Sequence, residues 1–214
     1  MLPISLIFTS GFVSGVNSYA AVLVLGLVGR FGHVTAIPPV LEKPSVLGAA
    51  AALYLGQFVV GKIPVVDAGW DFVHTALRPV AGGAIGVVIA QHAGAGATAT
   101  AASATIGGMA ALASHVVKTG VRVGVNASPE PFSTIIVSLL EDLGVASLTW
   151  WAVHQPRAAA AIAAAVLAVG LIVVVLLGTR IRRAWHRRRE AREWRRQAAS
   201  APPDIGRVAP EVPG

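Results

Sequence analysis

Cysteine is missing from all 214 residues, which excludes disulfides, thiolate catalysis and thiolate-held metals. Charge is scarce as well. Only 13% of residues are charged against 55% apolar, and the mean hydropathy of +0.69 is too high for a soluble domain. The composition therefore reads as a polytopic membrane protein. Neither an HExxH metal signature nor a nucleophile elbow is present, so no metal site, cofactor or catalytic residue is expected, and an enzyme is the less favoured reading. The opening stretch MLPISLIFTSGFVSG lacks the positive start of a signal peptide and runs on apolar to Val28. It reads as a retained first span. High Ala, Gly and Arg usage points to a bacterium, and hence to the bacterial cytoplasmic membrane.

The net charge of +7 resembles a nucleic-acid signal until it is located. From Arg180 onward there are ten Arg and four acidic residues, whereas the rest carries seven basic and six acidic side chains. Basicity belongs to a tail, where attraction to anionic lipid is expected and no nucleic-acid partner is.

An apolar helix needs about 20 residues to cross about 30 Å of hydrocarbon. Six stretches approach that length, near 4–29, 45–61, 69–91, 96–118, 132–153 and 158–178, separated by Pro- and Gly-containing linkers. The expected fold is all-α: a bundle of six transmembrane helices over 1–179, an Arg-rich cytoplasmic helix over 180–199 and a disordered end over 200–214. Arginines directly after the last span place the carboxyl end in the cytoplasm, and counting back through six spans places the amino end there too. Trp70, Trp150 and Trp151 then fall at headgroup levels. The fourth stretch is built of small residues and belongs at the bundle centre; Gly11 with Gly15, and Gly82 with Gly86, mark close crossings. Self-association is left open.

Inside this apolar frame, Asp67, Asp71, His74 and Arg78 recur at steps of four, three and four, which puts them on one helix face. His115, Lys118 and Arg122 form a matching stripe on the fourth span, and Glu141 with Asp142 sits inside the fifth. Isolated charges at such depth cost at least about 2.5 kcal/mol each, so partners are required. Arg78 and Glu141 fall at similar depth and are expected to pair, with Pro79 kinking the helix beside them. Asp67, Asp71 and His74 have the chemistry for a divalent cation, but Arg78 on the same face argues against one. Ser128-Pro129-Glu130 is a helix start. Lys62, Lys118, Arg122, Asn126 and Ser128 are also a candidate anion site at that helix start. On the first stretch, Ser10, Ser14 and Asn17 form a polar stripe facing the bundle. Asn17, among SGVNSYA, is also a point where the helix could unwind and expose its backbone. His33, His92 and His154 read as solvated loop residues.

Three segments carry a resemblance: SGVNSYAAVLVLGLVGRFG, KIPVVDAGWDFVHTALRPVAGG and NASPEPFSTIIVSLLEDLG. In this order, over about residues 5–150, the chain resembles the bacterial membrane family catalogued as domain of unknown function 4126. The resemblance implies a multi-spanning membrane protein and no particular activity. The polar residues themselves favour a small transporter or channel-like protein for an ion or anionic solute. A structural or assembly role for the charges is the alternative, and an enzyme acting on a lipid headgroup through His74 or His115 comes third.

Overall fold

A computed structural model describes residues 3–60, 64–125 and 131–200. Seven helices make up the described residues: α1 Ile4–Val16, α2 Ser18–Gly32, α3 Pro44–Val60, α4 Pro64–His92, α5 Ala97–Val125, α6 Pro131–His154 and α7 Pro156–Ser200. The chain forms two compact units, residues 1–174 and 175–214. Residues 201–214, where the sequence predicts disorder, lie outside the described residues.

Prolines open α3, α4, α6 and α7, where a missing amide donor costs nothing. Pro79 lies within α4, which continues through it. Among the described residues, three helices are long and apolar enough to cross a membrane, through the segments Ala97–Val121, Ile136–His154 and Pro156–Arg187. Their apolar side chains face outward, among them Leu139, Leu140 and Leu143 on α6 and Val169 and Ile172 on α7. A lipid-facing surface has that character.

The largest departure from expectation is in the first apolar stretch, which is two helices and not one span over 4–29. The backbone breaks at Asn17, whose φ of −152° and ψ of 99° are extended. A Cβ on Gly86 would lie 3.3 Å from Ile7 Cγ2, and His92 Nε2 donates to Thr35 O at 2.8 Å. Residues 86 and 92 are about 9 Å apart along α4. A straight helix would carry the chain about 37 Å from Ile7 to Gly32. The three residues from there to Thr35 recover at most about 11 Å. The ends of α1 and α2 can therefore meet the same end of α4 only if the two helices fold back on one another. Apolar clustering agrees: Leu6 and Ile7 share a core with Leu25 and Val28, whereas Phe12 and Val13 share one with Ala20 and Ala21. The result is a helical hairpin with Asn17 at its tip, about 20 Å from its open end.

Around the hairpin, α5 runs parallel to α1 and antiparallel to α4, in crossings tight enough to need glycine. A Cβ on Gly107 would collide with the Gly82 carbonyl, and one on Gly11 would collide with Gly107. This places the small-residue helix α5 against both α1 and α4. Because α1 sits between them, α4 and α6 do not touch among the described residues.

Candidate functional site

The hairpin tip falls beside the charges of α5 and α6. A helix that stops at Val16 leaves its last carbonyls without amide partners. Side chains supply two of them: Ser18 Oγ donates to Ser14 O at 2.7 Å, and Lys118 Nζ from α5 donates to Val16 O at 2.8 Å, while Ser114 Oγ of α5 adds a bond to Phe12 O one turn earlier at 2.7 Å. The ammonium is well placed there, since a helix carboxyl end carries a partial negative charge. Lys118 also forms an ion pair with Glu141 Oε2 at 2.8 Å, with side-chain exposures of only 6% and 17%.

Asn17 does two jobs at the turn. Its Oδ1 accepts from Ala20 N at 3.1 Å and caps α2, while its Nδ2 donates to Asp142 Oδ1 at 3.1 Å. The second Asp142 oxygen accepts from Tyr54 OH on α3 at 3.0 Å. Four helices thus meet at adjacent carboxylates on α6. Substituting Asn17 by Ala removes a helix cap and a hydrogen bond to a charged group. The expected cost is about 2–3 kcal/mol, measurable as a shift of the unfolding midpoint in detergent.

A second buried group lies between α4 and α5. Arg78 is 1% exposed and its Nη1 meets His115 Nδ1 at 2.5 Å, while Thr75 Oγ1 lies 3.0 Å from His115 Nε2. A guanidinium only donates, so in this contact Nδ1 is the accepting side and the other ring nitrogen faces Thr75.

Compared with the expected constellation, Arg78, His115, Lys118, Glu141 and Asp142 are all internal, but their partners differ. Glu141 is taken by Lys118, and Arg78 meets His115. The pairing of Arg78 with Glu141 expected from equal depth is replaced because α1 separates α4 from α6. The side chains of Asp67, Asp71, His74 and Arg122, and residues Lys62, Asn126 and Ser128, lie outside the described residues. Of the serine stripe, Ser10 and Ser14 are fully buried and Ser14 Oγ donates to Ser18 Oγ at 3.2 Å. Two members escaped the charge-based reading, Tyr54 and the Val16 carbonyl. No sequence signal marks a main-chain acceptor, and Tyr54 is a lone phenol in an apolar helix. The loop histidines have partners too: His92 closes onto Thr35 O, and His154 donates to Trp150 O at 2.9 Å and stacks on its ring.

Among known protein families, the model of one described as a domain of unknown function, DUF4126, matches residues 4–176. No curated protein and no solved structure matches the chain.

Proposed function

The chain belongs to the DUF4126 family, and from its charged interior we propose that it is a transport or channel-like membrane protein that passes an ion or an anionic solute. The observation that carries this reading is the broken hairpin, whose tip lies beside two carboxylates and an ammonium. Non-helical backbone at membrane depth is tolerated only inside protein or beside a water-filled path, and broken helices recur at transporter binding sites. Here the main-chain carbonyl of Val16 is occupied by Lys118, a cation tethered to the protein, where a mobile one would be stabilised by the same groups.

On this reading α3 and α4 also cross the membrane, giving five crossing helices and one re-entrant hairpin instead of six spans. Arginines that follow the apolar run within α7 favour a cytoplasmic carboxyl end. Ile7 lies level with Ser103, which packs on the same Gly86, and Val174 packs on Gly120 farther along α5, so the amino end then faces the opposite side. That differs from the expectation of two cytoplasmic termini, because a re-entrant hairpin contributes no crossing.

A second reading has its own support. Lys118, Glu141 and Asp142 each hold close partners, as struts that fix helix register would. Ion and solute flux into liposomes, wild type against Glu141→Gln, separates the two. Transport predicts a folded variant with flux reduced at least about tenfold, since one charge in a buried path is worth more than 1.4 kcal/mol. Wild-type protein without measurable flux, together with a Glu141→Gln variant that is merely less stable, would leave the strut reading. His115 has both ring nitrogens engaged, so a headgroup-cleaving enzyme gains no support from it.

A further inference from the structure

A surface outside the charged interior has a distinct chemistry. On α7, Gly178, Arg182, Trp185, His186 and Arg189 line a concavity of about 400 Å³. Their spacing confines them to roughly 100° of the helix circumference. Arg180 and Arg187 project from the opposite side by the same periodicity. The stripe therefore brings two arginines, an imidazole and an indole together on one face of α7. Trp185 is 66% exposed, and Arg182, His186 and Arg189 are exposed as well.

We propose that Arg182, Trp185, His186 and Arg189 form a headgroup site for an anionic membrane phospholipid. Three observations select this occupant. The stripe begins where the apolar run of the candidate span in α7 ends, so it lies at the level of lipid phosphates. Guanidinium groups bind phosphate through paired N–H donors, and the surplus of ten Arg over four acidic residues from Arg180 onward favours an anion. An indole placed between them suits the headgroup region, where one edge is apolar and the ring nitrogen finds an acceptor. Gly178 leaves the inner end of the concavity open for the lipid's glycerol backbone. A polynucleotide would satisfy the arginines but would not explain why the stripe continues from a lipid-spanning helix.

The test uses full-length protein, delipidated in detergent and titrated with phosphatidylglycerol or phosphatidylcholine, with retained lipid counted by native mass spectrometry. Wild type is expected to retain the anionic lipid roughly tenfold better or more, given the attraction of each basic residue to anionic lipid. Arg182→Gln with Arg189→Gln should reduce retention to the level of phosphatidylcholine. Arg180→Gln with Arg187→Gln makes the same charge change on the other face and should keep at least half of it. All four side chains are exposed, and an unchanged elution volume verifies folding. Equal loss in both pairs would replace a site with diffuse attraction. Wild type with no preference for phosphatidylglycerol, or a short single-stranded RNA that binds through Arg182 and Arg189 more tightly than the lipid does, would overturn the proposal.

Discussion

Replacing Lys118 with Met is expected to lower the unfolding free energy by about 3–5 kcal/mol, because it strands Glu141 as an unpaired charge in a poorly hydrated interior. The Val16 carbonyl loses its donor in the same step. A second substitution, Glu141→Gln, should return most of that loss, since two neutral side chains no longer require each other's charge. A residue of about 1–2 kcal/mol remains for the orphaned carbonyl. Denaturant unfolding in detergent of the wild type, both single variants and the double variant measures the coupling. If Lys118→Met is as stable as wild type, or if the double variant is no better than that single one, the ion pair is not what holds the hairpin tip. The double variant serves a further purpose. Because it should fold, its flux in liposomes reports on transport without the ambiguity of a destabilised single variant.

Gly107→Leu should be damaging too, for a steric reason. Gly107 lies where α1, α4 and α5 cross, against the Gly82 carbonyl on one side and Gly11 on the other, and a Cβ added to it would also lie 3.6 Å from Gly86 Cα. Neither neighbour is a flexible side chain that can move aside. Overpacking usually costs about 1–3 kcal/mol, and pushing against the α4 backbone at both Gly82 and Gly86 should reach the upper end, about 3 kcal/mol. Gly144 on α6 is the control. A Cβ there meets nothing within 4 Å, so Gly144→Ala should leave stability unchanged or raise it by up to about 1 kcal/mol. Thermal unfolding of the two variants side by side separates helix crossing from glycine removal as such. Equal behaviour of the two would remove the close crossing from the account.

Much of the architecture was legible because its signals are local. Apolar length located α3, α5, α6 and the first part of α7, the prolines marked where helices start, and small residues pointed to the close packing of α5. The polar interior was legible as a composition: Arg78, His115, Lys118, Glu141 and Asp142 stand out against their apolar neighbours. Their pairing was not, because matching depth says nothing about which helix lies between two others. The hairpin was hidden for another reason. Nothing in the apolar run Ile4–Gly32 distinguishes a helix that continues from one that turns back, and no proline marks the break. Asn17 was the sole cue: an amide that can cap α2 and bond Asp142 compensates for the helical hydrogen bonds the turn gives up.

The hairpin underlies both the site and the topology, and one distance tests it. Ile4 and Phe31 are 52% and 74% exposed, and the chain has no native cysteine, so spin labels can be placed at these two positions alone. Helices folded back at Asn17 and packed side by side predict a label separation of roughly 10–25 Å by pulsed electron resonance. A straight span over the same residues predicts roughly 40 Å. A dominant distance near the longer value would contradict the fold-back, and with it the placement of the Val16 carbonyl and Asn17 beside Lys118 and Asp142.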